Sequence, residues 1–233
     1  MIRELTEHFP ALVGIGVNYN RERTNVICGD EYQTLWGKDT ITDTLAGVTL
    51  SFSAASFYQV NRDAAELLYH KAKEIADFTG EETLLDLFCG VGSIGLSMAD
   101  RVKRVIGIEI VPDAVRCANE NAERNGIKNA AFFSGDATDT EKLLAEAEDA
   151  LGEPLSPDAV VLDPPRKGCD EKLLAFLVEK KIPKIVYISC NPETLARDVA
   201  ILAQKGYGFS EITPVDLFPR TGHVETVCRL FRQ

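Results

Sequence analysis

Between Thr83 and Gln204 the sequence switches repeatedly between two hydrophobic patterns. Short, nearly continuous runs of β-branched and aliphatic residues are each followed by a segment whose apolar positions recur at helical spacing. Continuous apolar runs suit strands buried on both faces, and helical spacing suits the helices that cover them. The alternation therefore predicts an α/β fold with a mostly parallel sheet. Strands are expected at 83–89, 104–110, 130–134, 159–163 and 184–190, and helices at 93–99, 112–125, 140–151, 171–180 and 192–204. Pro112 and Pro192 stand where a first helical turn tolerates the missing N–H, and Asn125-Gly126 supplies a helix stop.

The flanks break this rhythm. Segments 208–217 and 224–231 are extended with no helix between them, which predicts an antiparallel hairpin closing the sheet. Ahead of the first strand, Leu68, Ala72, Ile75 and Thr79 recur at helical spacing, so 60–78 reads as a leading helix. Residues 1–55 hold only short β-prone pieces, at 12–18, 24–28 and 48–52, too few to close a barrel. The expected organisation is a remnant of a β-rich central domain over 1–55, followed by the α/β domain over 56–233.

Composition narrows the class. No run approaches the roughly 18 apolar residues of a membrane helix, and the first residues lack the apolar core of a secretory signal, so a cytoplasmic protein without membrane association is expected. The six cysteines are scattered without a CxxC pair, which argues for reduced thiols and against a metal site. A net charge of -11 opposes long-range attraction to nucleic acid, so if RNA is the substrate something else must help hold it.

Chemistry concentrates at the predicted strand ends. In DLFCGVGSIG, Asp86 lies near the end of the first strand, and Gly90, Gly92 and Gly95 occupy the turn into the next helix, where backbone can approach a ligand closely. Glu109, 19 residues after Gly90, ends the second strand, where a carboxylate can accept from two ribose hydroxyls. That pattern fits a dinucleotide enzyme as well as a methyltransferase. Asp86 favours the latter, since a carboxylate suits the cationic amino group of S-adenosylmethionine and would repel a pyrophosphate. Asp136 follows the third strand and reads either as an acceptor for an adenine amino group or as a helix cap. The fourth strand ends in Asp163-Pro164-Pro165-Arg166, and the fifth in Ser189-Cys190-Asn191-Pro192. Cys190 thus precedes a helix whose amino terminus can lower a thiol pKa; a lone cysteine is more often an inert core residue, but the position beside Asp163 and the glycine loop reverses that preference. Glu225 begins the last strand, and spacing alone does not bring it to the site.

Together, FYQVN (57–61), DLFCGVGSIGL (86–96), the Glu109 strand, DPPRKG (163–168), SCNPETLARD (189–198) and HVETV (223–227) resemble the RNA uracil-C5 methyltransferases, the 5-methyluridine enzymes of ribosomal and transfer RNA. The resemblance covers about 45–233 in order. It looks like the carboxyl-terminal catalytic part, without the small OB-type barrel or iron–sulfur cysteines that many members carry. It implies a Rossmann-like S-adenosylmethionine-dependent methyltransferase fold acting on an RNA substrate; a monomer is expected. The expected target is 23S ribosomal RNA, with transfer RNA as the alternative. Carried over residue by residue, Cys190 is the nucleophile and Glu225 the base. Gln59, Phe88, Gly90, Glu109, Asp136 and Asp163 would surround S-adenosylmethionine, Asp163 also lying close to the target base. The competing readings are an amino-group methyltransferase, which needs no thiol, a non-catalytic cofactor- or RNA-binding fragment, and a dehydrogenase.

Overall fold

A computed structural model of the chain describes residues 1–21, 28–29 and 31–233. Helix α1 (Ile2–His8) leads into a two-stranded ribbon, β1 (Gly14–Tyr19) antiparallel to β2 (Glu31–Gly37). A second hairpin pairs β3 (Thr40–Leu45) with β4 (Val48–Ser53). It turns on Ala46 and Gly47, both at positive φ (49° and 81°), as a two-residue turn matching strand twist requires. Helix α2 (Arg62–Ala76) follows, its first turn capped by the Asn61 side chain. The βα series then runs β5 (Thr83–Leu87), α3 (Ser93–Met98), β6 (Arg104–Glu109), α4 (Pro112–Arg124), β7 (Ala130–Ser134), α5 (Thr140–Leu151), β8 (Ala159–Leu162), α6 (Glu171–Glu179), β9 (Lys184–Ser189) and α7 (Pro192–Ala203). The tail adds β10 (Tyr207–Phe209), β11 (Thr213–Val215) and β12 (Glu225–Arg232).

The large sheet has the order β10-β12-β9-β8-β5-β6-β7, with β5 to β9 parallel and β12 inserted antiparallel beside β9. The chain winds one way from β5 through β6 to β7, then returns to β8 on the other side of β5. That reversal opens a crevice at the carboxyl ends of β5 and β8. The expected parallel sheet is present, and each of its strands and helices ends within two residues of the predicted bounds. The closing hairpin is more elaborate than expected. Segment 208–217 splits into β10, which pairs with the far half of β12 (Gly208 opposite Phe231), and β11, which pairs with its near half (Thr213 opposite Val227). Among the described residues no helix is long and apolar enough to cross a membrane.

Consecutive strand residues feed opposite faces. Leu84, Val105, Val161 and Val186 pack beneath α2, α3 and α4, whereas Leu85, Ile106, Val160 and Ile185 pack with α5, α6 and α7. The β3–β4 hairpin lies before the expected boundary at residue 55, yet its Leu45, Val48 and Leu50 are buried in the first of these cores with Leu68 and Ala72 of α2. Of the β-prone pieces expected in 1–55, 12–18 overlaps β1 and 48–52 lies in β4, while residues 24–27 of the third lie outside the described residues. Helix α1 and strands β2 and β3 were not foreseen. α1 contains no buried residue and β2 is exposed at six of its seven positions, so neither carries an apolar period.

A buried carboxylate ties α2 to the sheet. Glu82 accepts from the Thr79 and Gly80 amides and from Lys184 Nζ at 2.9 Å. Burial alone would raise its pKa, but the Lys184 ammonium and the backbone donors outweigh burial and hold the carboxyl at about 2. A folded value below the unfolded one stabilises the protein above the ordinary carboxylate pKa, and this contribution fades as pH falls from about 4.5 towards 2. Glu82→Gln should cost about 2–3 kcal/mol at pH 7. Denaturant titration at pH 7 and pH 3 checks this: the wild-type advantage should shrink at pH 3, and an equal stability of the two proteins at pH 7 would refute it.

Candidate active site

The loop after β5 is bent by residues in left-handed conformation, Phe88 (φ 64°), Gly90 (φ 53°) and Gly92 (φ 80°). Phe88 is not glycine, so holding it there stores strain of the kind found at ligand sites. A Cβ on Gly90 would meet nothing within 4 Å, which leaves open space beside the backbone. At Gly95, by contrast, a Cβ would come 2.6 Å from Asp86 Oδ2, so glycine lets the first turn of α3 sit directly on that carboxylate. Gly95 N donates to Asp86 Oδ2 at 2.9 Å.

Asp86 is fully buried and its Oδ1 has no partner. Burial, reinforced by Glu109, raises its pKa to about 7. A buried acceptor without a donor is costly, and a cationic ligand group would relieve it. Glu109 is already oriented: Oε2 accepts from Gly90 N at 3.1 Å and Oε1 from Val111 N at 2.9 Å. Each oxygen keeps a lone pair for a ligand hydroxyl. Gln59, Phe88, Gly90, Tyr69, Ser93 and Asp163 line the crevice, with Gln59 8% exposed and Tyr69 hydrogen-bonded to Ser93 at 2.8 Å. Phe57, 72% exposed, stands at its mouth. The fit of these residues to S-adenosylmethionine rests on the orphaned Asp86 oxygen and the preoriented Glu109. Asp136 is exposed and caps the 3₁₀ turn 137–139 by accepting from Thr138 N at 2.8 Å. Its bonds to Thr138, with Lys167 and Lys172 nearby, lower its pKa.

The second half of the site gathers at β8, β9 and β12. Thr226 pairs with Ser189 in the antiparallel register, so one further step sets Glu225 opposite Cys190. Because β12 runs antiparallel, its first residue reaches the same edge as the last residues of the parallel strands. Spacing could not reveal this juxtaposition, which depends on β12 lying next to β9. Glu225 is 5% exposed, and burial raises its pKa against the opposing pull of Arg166. Asp163 is half-buried and raised to about 8 by desolvation, then by Glu225 and Asp86. The Cys190 thiol departs from expectation. Burial raises it, Glu225 and Asp163 raise it further, and Arg166 opposes them. The amino terminus of α7 therefore does not leave a low-pKa thiol here, because burial first, and then two carboxylates, disfavour the thiolate.

Two supporting groups were missed in the sequence. Arg166 donates to the His223 ring (2.9 Å to Nδ1), its carbonyl accepts from Asn191 Nδ2 at 3.1 Å, and its charge acts on both Cys190 and Glu225. Asp198, fully buried, accepts from Cys169 N at 2.8 Å, Tyr187 Oη at 2.7 Å and Arg197 Nε at 2.8 Å. It clamps the loop after β8 to α7, which fixes Asp163 relative to Cys190. The available signal was Asp198 itself, a carboxylate that falls on the buried stripe of α7 with Leu195, Val199 and Leu202 and pairs with the exposed Arg197.

A protein-family model described as tRNA (Uracil-5-)-methyltransferase matches residues 34–233. A Listeria monocytogenes protein named as an RNA methyltransferase is 47% identical over 227 residues, covering 97% of this chain and 49% of the relative. An Enterococcus faecalis protein named likewise is 46% identical over 230 residues, covering 99% and 49%. The chain thus spans about half the length of the curated relatives it matches. The crystal structure of Pyrococcus abyssi tRNA (uracil-54, C5)-methyltransferase in complex with S-adenosyl-L-homocysteine superposes with a TM-score of 0.75 at 33% identity, over 97% of this chain and 52% of that one.

Proposed function

We propose that this chain, which belongs to the tRNA (uracil-5-)-methyltransferase family, binds S-adenosylmethionine in the crevice above β5 and methylates C5 of a uridine in RNA through a Cys190 adduct. The placement of Glu225 opposite Cys190, beside Asp163, carries this reading.

When bound, S-adenosylmethionine supplies an electrophilic methyl group on a sulfonium sulfur. Glu109 would hold its ribose and Asp86 its amino group, while Gln59, Phe88, Gly90 and Asp136 complete the surroundings that the resemblance implies. Uracil C5 is a weak carbon nucleophile, and the protein's task is to activate it. Cys190 Sγ, as thiolate, bonds to C6, and the C5–C6 electron pair moves to C5 and O4 as an enolate. After C5 gains the methyl group it still carries hydrogen. Glu225 removes that proton, the pair re-forms the C5=C6 bond, and the C6–S bond breaks to return the thiolate. Asp163, raised to about 8, would be protonated often enough at neutral pH to donate to a base carbonyl. C6 is inaccessible within a stacked helix, so the uridine must be flipped or presented in a loop, with exposed Phe57 available to stack on it.

The target follows the same resemblance, a uridine of 23S ribosomal RNA, while transfer RNA is the substrate named for the Pyrococcus abyssi enzyme. Both RNAs belong in the test. Incubation with methyl-labelled S-adenosylmethionine followed by nuclease digestion should yield labelled 5-methyluridine, and label on an exocyclic nitrogen instead would overturn the reading. In parallel, Glu109→Ala should weaken S-adenosylhomocysteine binding by roughly 1.5–3 kcal/mol in calorimetry, the loss of charge-assisted bonds to two hydroxyls. Unchanged affinity would remove Glu109 from the site.

A further inference from the structure

Helix α4 and its C-cap carry three asparagines that face backbone rather than solvent: Asn119 and Asn121 within the helix and Asn125 at its end. Asn119 bonds both polar groups of Phe132 in β7, accepting from its N at 3.1 Å and donating to its O at 2.9 Å. On the other side, Asn125 does the same for Thr49 of β4 (2.9 and 2.8 Å), and Asn121 for Ser51 (2.7 and 3.1 Å). The spacing explains the match. Four helical residues rise about 6 Å and two strand residues about 6.7 Å, so amides at i and i+4 meet alternate residues of an exposed strand edge. The helix thereby satisfies the free edge of the β3–β4 hairpin as a neighbouring strand would.

Asn121 does more than Asn125. Fully buried, it also donates from Nδ2 to the carbonyl of Val91, inside the glycine loop, at 3.1 Å. Apolar packing follows the same route: Val91, Ala114 and Cys117 form a small separate cluster against which Phe52 of β4 packs. Phe52 in turn stacks on Tyr58 of the crevice wall with ring centroids 4.0 Å apart. Hairpin, helix and glycine loop therefore meet at one buried amide.

We propose that Asn121 is a positioning residue for the cofactor loop, coupling the seat of the β3–β4 hairpin to the Val91 carbonyl so that hairpin docking and cofactor binding reinforce each other. The inference rests on the reading that this loop holds S-adenosylmethionine. Binding energy linked to two sites is reciprocal, so the coupling is measurable from either end. Hairpin, and any domain joined through it, then tunes cofactor affinity from outside the crevice.

Calorimetric titration with S-adenosylhomocysteine should compare the wild-type chain, Asn121→Asp and Asn125→Asp. Both variants lose donors to the hairpin and should melt earlier, but only Asn121→Asp loses the bond to Val91. Its affinity should fall about five- to tenfold while Asn125→Asp stays within about twofold. Equal losses in the two variants, or none in Asn121→Asp, overturn the proposal. Should Asn121→Asp fail to fold, amide exchange in the wild type decides: saturating ligand should slow exchange at Ser51 N–H severalfold and leave Gly208 N–H unchanged. An unprotected Ser51 also overturns it. Failure of the wild type to bind S-adenosylhomocysteine would instead sink the cofactor reading and this coupling with it, whereas binding with a flat Asn121 result sinks the coupling alone.

Discussion

Cys190→Ala should reduce methyl transfer to RNA by at least about 10⁴-fold and leave no protein–RNA adduct, because without the thiolate C5 is never made nucleophilic. Affinity for S-adenosylhomocysteine should be unchanged, since Cys190 lies at the end of β9 rather than beside Asp86 and Glu109. The wild-type pH profile provides a second reading of the same group. Burial, Glu225 and Asp163 raise the thiol above its ordinary pKa, so the thiolate fraction is small at pH 7 and grows as pH rises. With the thiolate as the reacting form, kcat/KM should climb with pH across the neutral range. Substantial methylation by Cys190→Ala would support the amino-group alternative, in which Asp163-Pro164-Pro165 holds an exocyclic nitrogen and no thiol is needed.

The raised thiol also clarifies Arg166. Its charge acts on both Cys190 and Glu225, and its own orientation is fixed by His223 and by Asn191 and Thr194, both of which donate to its backbone carbonyl. Around Cys190, burial and the two carboxylates thus outweigh Arg166 and favour the protonated thiol.

The βα series was readable because each of its strands is apolar on both faces and each helix has an apolar stripe, so hydrophobic period alone marks Ile106 or Leu173 as core. Strand ends were readable for the same reason, and with them Asp86, Glu109, Asp163 and Cys190. What period cannot encode is strand order. Glu225 looks like a solvated edge residue until β12 is placed between β9 and β10, after which it is 5% exposed and opposite Cys190. The amino-terminal 55 residues illustrate a different limit. β4 reads as a short β-prone piece, but its burial depends on amides of Asn121 and Asn125, some 70 residues away, which no local pattern announces. The direction of the Cys190 shift was misjudged for a related reason. A helix amino terminus is visible in sequence, whereas the burial of the thiol and the two carboxylates that share its space arise only from the fold.

Glu225→Gln should separate the two halves of the reaction that Cys190→Ala removes together. Glutamine keeps the size and the β11–β12 pairing at this buried position, where Val215 faces Glu225, but it cannot take a proton. The thiolate can still add to C6 and the methyl group can still reach C5. What stops is removal of the C5 hydrogen, and without it the C6–S bond has no electron pair to expel it in the forward direction. Turnover should drop about 10²–10⁴-fold, the range of a lost general base. The covalent protein–RNA complex should accumulate, as a slow-migrating band on denaturing gels that the Cys190→Ala/Glu225→Gln double variant lacks. An RNA carrying 5-fluorouridine should trap the same adduct in the wild type, because after methylation C5 bears fluorine in place of the proton that Glu225 would remove. Turnover of Glu225→Gln at near the wild-type rate would show that another group, with Asp163 the first candidate because its charge is coupled to that of Glu225, removes the proton.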